Sequence, residues 1–255
     1  MAETTDEDDE ETAWPDDLLD AGEVRAWIAS ALPGNPVAAG PVRVYAAKEW
    51  GVTARFDVTP GDGSGGSGRD GLPESAVFKA SLLPLFASAP HVAALLTRHC
   101  SGIAPELLAW SPVEAGGAWM LFAPFAGVTA EALPGIEPLL AMAHTLADIQ
   151  AAIAELSEGE TADIPRVPPR EFPAMLDAVL ADIRARHLAF WRGEGRDLAT
   201  QFALPDDVAA RRERERPRVV AWADELEASG WPLALDHVDL QPDNAVLQPD
   251  GRMLL

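Results

Sequence analysis

The chain has 255 residues, 48% of them hydrophobic, and a formal net charge of −22. That length and apolar content suit one large domain or two modest lobes, and that charge argues against duplex DNA or an anionic membrane as partner. A single cysteine, Cys100, excludes an internal disulfide framework and fits a reducing compartment. The acidic N-terminus lacks the basic-then-apolar order of a signal peptide, and the longest uncharged runs, such as residues 80–97, are broken by Pro, Ser and His. A cytoplasmic protein is expected.

In chain order, residues 1–19 read as an acidic disordered tail. A helix starts at Asp20, with Val24, Trp27, Ile28 and Leu32 on one face, and Pro33-Gly34 ends it. Residues 42–58, rich in β-branched and aromatic side chains, predict two strands turning near Glu49 to Gly51. The Gly- and Ser-rich residues 59–75 cannot pack a core and read as a hairpin loop. They contain no G-x-x-x-x-G-K-[ST] and so no P-loop. Residues 76–80, AVFKA, predict a short strand carrying Lys79.

A helix is expected over residues 91–100, with Val92, Leu95 and Leu96 inward, and a buried strand in AWMLFAPFAG, residues 118–127. Residues 137–156 predict a long amphipathic helix with Leu139, Met142, Leu146, Ile149, Ile153 and Leu156 on its apolar face. Two more helices are expected, over about 173–191 and about 206–228, the second interrupted at Pro217. Strands concentrate before residue 125 and helices after it, which predicts an α+β chain. The boundaries expected are residues 20–124 for a nucleotide-binding lobe and 125–255 for a helical lobe.

Chemistry concentrates in DHVDLQPDNAVL, residues 236–247. His237, Asp239, Leu240 and Asn244 fit H-x-D-L-x-x-x-N, a catalytic-loop pattern of kinase-like phosphotransferases. Phosphoryl transfer needs a carboxylate to accept or orient the attacking hydroxyl, and nearby a neutral oxygen for magnesium. Asp239 suits the first role and Asn244 the second, with His237 holding the loop. Residues 245–247, a turn at 248–251 and residues 253–255 predict a following hairpin. Arginine is strongly preferred here, yet Lys48 and Lys79 are lysines; lysine offers phosphate a compact point charge.

DHVDLQPDN resembles the H-G-D-L-H-P-G-N loop of the aminoglycoside phosphotransferase family, which also includes choline kinase-like enzymes. AVFKA resembles that family's phosphate-lysine strand, AWMLFAPFAG its adenine-receiving hinge, and LAMAHTLADIQ the helix opening its C-terminal lobe. The resemblance implies a protein-kinase-like two-lobed fold, with an antiparallel sheet in the N-terminal lobe and a helical C-terminal lobe. It implies ATP and Mg2+ as cofactors and transfer of the γ-phosphate to a small-molecule hydroxyl acceptor. Asp239 would be the base, Asn244 a metal ligand and Lys79 the phosphate lysine. Adenine would meet backbone near Phe122, Ala123 and Phe125, with Val77 and Phe56 lining the pocket.

Three departures from the family pattern stand out. No Asp or Glu lies between Lys79 and Glu106, and Ala89 occupies the place of the lysine's usual carboxylate partner. Gln241 and Asp243 replace the usual His and Gly of the loop. A second metal-ligating aspartate is expected just beyond Leu255, so the sequence reads as C-terminally truncated, with little or no catalysis and with apolar surface left uncovered on the return strand. The alternative from another class is a pseudokinase-like module that binds nucleotide without transferring phosphate. Elsewhere, residues 211–218, RRERERPR, read as a solvated helix face. His144 reads as a core histidine, His91 as a helix start, and His99 with Cys100 lacks zinc-site spacing.

Overall fold

The computed structural model describes residues 14–16, 19–34, 36–48, 51–61, 72–82, 86–113, 117–171, 173–174, 206–230, 234–235 and 240–255. Two compact units are present, one of residues 1–164 with 235–255 and the other of residues 165–234.

In the first unit, helix α1 spans Ala21–Ala31. Its N-terminus is closed by the Asp20 carboxylate, which accepts from the Glu23 amide at 2.8 Å. The face expected from the spacing is the one buried: Val24 and Ile28 are wholly inaccessible, and Trp27 and Leu32 pack beside them. Two strands follow, β1 (Val37–Lys48) and β2 (Gly51–Thr59), then β3 (Ser75–Ser81), β4 (Leu107–Pro112) and β5 (Ala118–Phe122). They form one sheet in the order β1-β2-β3-β5-β4, with every neighbouring pair antiparallel. Between β3 and β4 lies helix α2 (Ala89–His99).

Side chains alternate across this sheet, as the pleat requires. Val52, Ala54, Phe56 and Val58 of β2 face α1, as do Ala76, Phe78 and Ala80 of β3 and Leu121 of β5; all are buried in one core. Phe78 is its centre. It meets Trp27, Phe56 and Trp119 edge-on at centroid distances of 5.9, 6.1 and 5.7 Å, and Trp14 at 6.4 Å. Trp14 also donates from Nε1 to the Leu19 carbonyl at 2.7 Å, so ordered packing begins inside the stretch expected to be tail. Arg25 donates to the carbonyls of Ala38 and Gly40 at 2.6 and 2.8 Å, fastening α1 to the edge strand.

A second core gathers Leu95 and Cys100 near α2, Met142, Ile149 and Ile153 of helix α3 (Glu137–Ala154), and Ala245, Met253 and Leu255. Burial pushes the Cys100 thiol pKa up. The sequence misassigns part of α3. Leu139 is 47% exposed and His144 is exposed, because the buried stripe runs through Met142, Thr145, Ile149 and Ile153 instead. Two short strands, β7 (Val246–Leu247) and β8 (Met253–Leu254), make the expected hairpin, and β6 (Val128–Thr129) adds to it in the order β6-β7-β8. The return strand was expected to leave apolar surface uncovered. Met253, Leu254 and Leu255 are all buried; Met253 and Leu255 pack in the core with residues of α2 and α3, and the Leu255 amide donates to the Ile103 carbonyl at 3.1 Å.

The second unit holds helix α4 (Asp206–Ala228). Pro217 sits inside it without ending it. A helix-interior proline removes one backbone hydrogen bond, but this stretch is exposed, so the freed carbonyl can turn to water. Residues 213–218 are all exposed, with Arg218 3.8 Å from Glu215 one turn earlier, the solvated face expected of them. Most of the helix expected over about 173–191 lies outside the described residues. No helix among the described residues is long and apolar enough to cross a membrane.

If the aromatic cluster holds the sheet to α1, truncating its centre is the most damaging single change in this core. Phe78→Ala should cost about 3–5 kcal/mol in chemical denaturation. A loss under about 1 kcal/mol would show that the cluster collapses around the gap.

Candidate active site

The sheet face turned away from α1 carries the residues of interest. Lys79 alternates with the buried Phe78 and Ala80 and therefore points to the opposite side, where it is exposed. Its cross-strand neighbours are Thr53 on β2 and Met120 on β5. Two residues earlier, Val77 pairs with Arg55 on one side and Phe122 on the other. Val77 and Met120 are buried, at 4% and 2% exposure, and Phe122 is half-buried. Lys79, Val77 and Phe122 thus share one face, an ammonium beside a short apolar floor. Phe56 does not. It lies in the α1 core, on the other face, because it alternates with Arg55 along β2.

Phe122 ends β5, and the chain then leaves the sheet. The Ala123 amide donates to the Glu106 carbonyl at 2.8 Å, so it is already engaged in joining the strand end to the start of β4. Phe125 is 37% exposed in the connection to β6. A cleft of about 380 Å³ is lined by Ala123, Pro124 and Phe125 together with Thr97, Glu106, Gln248 and Arg252. Lys79, Val77, Phe122 and Asn244 do not line it, so this cleft is distinct from the face that carries the lysine.

Asn244 closes a 3-10 turn, Pro242–Asn244, and its amide donates to the Gln241 carbonyl at 3.0 Å. The next residue, Ala245, is fully buried, and its carbonyl accepts from the Ala130 amide at 2.9 Å. Strand β6 begins three residues after Phe125 and pairs Val128 with Leu247 and Thr129 with Val246. The segment that follows Phe125 is therefore hydrogen-bonded to the strand that follows Asn244. Gly127 makes this approach possible. It adopts φ 153, and a Cβ there would run into the Leu247 carbonyl and the Val246 side chain. Before the loop, Gln150 of α3 donates from Nε2 to the Leu235 carbonyl at 2.9 Å. Asp236, His237 and Asp239 lie outside the described residues.

The hairpin turn is held by Asp250. Its carboxylate accepts from the Arg252 amide at 3.1 Å and from Arg252 Nε and Nη2 at 2.8 and 2.7 Å. These bonds hold the Asp250 pKa below the ordinary carboxylate range and raise that of Arg252.

Helix α2 has no acidic residue in its first turn, where Ala89 and Pro90 stand. His91, which was read as a plain helix start, packs its ring edge-on against Trp110 at 5.1 Å and brings Nδ1 within 3.8 Å of Asp163. No group of three or more His, Cys, Asp or Glu side chains among the described residues could hold a metal ion. Asn244 fits magnesium by the chemistry of its donor, a hard amide oxygen on an exposed turn, since magnesium takes few protein ligands and completes its shell with water and phosphate. The sequence reading missed Arg55, Arg43 and Met120 on the lysine face. The signal was present in the alternation of β2, which puts Thr53, Arg55 and Asp57 opposite the apolar series.

Solved structures with this arrangement are kinase-like. A thermostable mutant of aminoglycoside phosphotransferase APH(4)-Ia, in ternary complex with AMP-PNP and hygromycin B, matches at a TM-score of 0.50 and 17% identity, over 91% of this chain and 69% of that one. An apo form of such a mutant matches at 0.49 and 19%, over 84% of this chain and 65% of that one. Choline kinase from Cryptosporidium parvum Iowa II matches at 0.45 and 14%, over 92% and 64%. The chain thus spans about two thirds of these structures' length. No family model and no curated protein matches it. The likeness defines the class: the chain has the α+β, two-lobed kinase-like fold. Within that class, the fold is the one seen in aminoglycoside phosphotransferase.

Two predictions follow from the loop's supports. Gly127→Ala places a side chain against the Leu247 carbonyl at a strained φ, and should cost about 1–3 kcal/mol in denaturation. A neutral substitution would show that β6 can withdraw from β7. The Asp250 pKa is lower in the folded chain than in the unfolded one, so its stabilising bonds are complete above the ordinary carboxylate value. They are lost only as pH falls below that value and through the lowered one. The Arg252 Nε–H resonance should therefore stay unchanged from pH 7 to about 5 and move only at lower pH, given an ordinary Asp value of about 3.9.

Proposed function

We propose that the protein is an ATP-dependent phosphotransferase acting on a hydroxyl of a small molecule. The observation that carries this reading is the lysine face: Lys79 stands on the exposed face of an antiparallel sheet beside the apolar Val77, Met120 and Phe122. An apolar floor next to a cation suits a nucleotide, whose base is flat and weakly polar and whose phosphates are anionic. The catalytic-loop pattern and the kinase-like fold support the same reading. So does the structural neighbour solved with AMP-PNP and hygromycin B, which places a nucleotide and a hydroxyl-bearing small molecule on that neighbour.

In this reading the base stacks near Phe122 to Phe125 and the phosphates run toward Lys79. The Ala123 amide is engaged by Glu106, so the base meets later backbone donors of the connection. Asp239 accepts the hydroxyl proton of the acceptor, or holds that hydroxyl in line with the γ-phosphate. His237 holds the loop backbone. Asn244 offers an oxygen to magnesium, whose charge neutralises the phosphates when it is bound. Transfer breaks the bond between the γ-phosphorus and its bridging oxygen and forms one to the acceptor oxygen, leaving ADP.

A second reading is favoured by one observation. Ala89 leaves the first turn of α2 without a carboxylate, and a module that binds nucleotide without transferring phosphate needs none.

Thermal denaturation with Mg-ATP tests the shared claim. A ligand at 100 times its Kd should add about 2.7 kcal/mol of stability, and no shift at millimolar Mg-ATP would overturn both readings. Labelled γ-phosphate then separates them. Transfer to a panel of amino-alcohol and sugar acceptors, reduced about 10²- to 10⁴-fold in Asp239→Asn with nucleotide binding retained, supports the enzyme. Binding with no transfer above that of the variant selects the silent module.

A further inference from the structure

On the lysine face a second row of cations runs beside Lys79. Arg55 on β2 pairs directly with Val77 on β3 and, on its other side, with Arg43 on β1. Burial settles the side of the sheet. Val44 and Ala54, the next pair along, are in the α1 core, so Arg43 and Arg55 face the other way, and both are exposed. Lys79 stands two residues from Val77 on the same face, which makes it the diagonal neighbour of Arg55. Diagonal neighbours in an antiparallel pair lie roughly 7–8 Å apart, with their Cβ atoms somewhat closer, within reach of two long side chains closing on one ligand.

Two features set this row apart from ordinary surface arginine. Like charges directly opposite each other on paired strands are destabilising, and the chain holds 41 Asp and Glu against 19 Lys and Arg. A chain so rich in acid nonetheless opposes Arg43 with Arg55. Local rules tend to be broken where function requires it. The same face carries the apolar Val77, Met120 and Phe122, the first two buried and the third half-buried, and Arg55 pairs directly with Val77.

We propose that Arg55 is a second phosphate-binding cation, acting with Lys79 on the anionic end of the nucleotide, while Arg43 raises the potential of the same face. This rests on the nucleotide reading above and deepens it. Lysine contributes a point charge, whereas arginine contributes a planar fork able to hold two oxygens at once.

The test compares Mg-ATP and adenosine binding by calorimetry in the full chain and in Arg55→Gln, Arg55→Lys and Arg218→Gln. Arg218 is an exposed arginine of α4 and controls for the loss of one positive charge. Arg55→Gln should weaken Mg-ATP by roughly ten- to 150-fold, the scale of one charged hydrogen-bonding partner, and leave adenosine unchanged. Arg55→Lys should recover part of the loss, and the salt dependence of Mg-ATP binding should be shallower in Arg55→Gln. Wild-type binding of Mg-ATP with Arg55→Gln unchanged would overturn the inference and leave the nucleotide reading standing. So would equal weakening of adenosine, which marks a structural role, or equal weakening in Arg218→Gln, which marks net charge alone. Wild type that binds neither ligand would overturn the nucleotide reading itself, and the inference with it.

Discussion

Phe78 and Lys79 are adjacent residues that must point to opposite sides of one strand, and much of the first unit follows from that constraint. Phe78 is buried among Phe56, Trp27 and Trp119, which fixes the orientation of β3. Once Phe78 is inward, Lys79 is outward, and a register slip of a single residue would exchange them. The same phase propagates through the ladder. Ala54 and Leu121 lie inward with Phe78, while Thr53, Arg55, Met120 and Phe122 lie on the lysine side. The aromatic cluster therefore does more than hold α1 to the sheet. It sets which side chains a ligand on the far face can meet.

A second arrangement concerns the segment from Leu235 to Leu247. Its flanks are held in different ways. Upstream, the Leu235 carbonyl accepts from the Gln150 side chain of α3. Downstream, Ala245 is buried and bonded to Ala130, and β7 pairs with β6. Since β6 directly follows the connection that contains Phe125 and β7 directly follows the turn bearing Asn244, one small sheet joins the segments beyond both. Gly127 is the narrow point of this arrangement, because only a residue without a side chain permits so close an approach. This gives a physical reason for an order of motifs that spacing alone could only match to a pattern.

Several features were legible in the residues. The helix start at Asp20, the buried face of α1, the two strands within residues 42–58 and the hairpin after residue 245 each depend on local chemistry or on a short period, and each was found close to where expected. Legibility failed where a contact partner comes from far along the chain. Leu139 and His144 sit on a helix whose apolar stripe is chosen by Ala245 and Met253, about a hundred residues away. Phe56 was grouped with the pocket because a strand residue's side depends on register, and the register is set by its partners on β1 and β3. The return strand was expected to be uncovered because the residues that cover Met253 and Leu255 come from α2 and α3. The helix expected over about 206–228 is present, and Pro217, expected to interrupt it, is tolerated on an exposed face.

By itself the sequence determined the types and order of most elements, and it singled out Lys79, Asp239 and Asn244, because spacing and residue chemistry are carried by neighbours along the chain. Tertiary structure alone decided which residues join Lys79. That Arg55 and Arg43 border the lysine face, that Phe56 leaves it, and that the Ala123 amide is already engaged by Glu106 all follow from strand register and cross-strand pairing. Those are relations between segments distant in sequence, fixed by the simultaneous burial of many side chains, and no single stretch contains them.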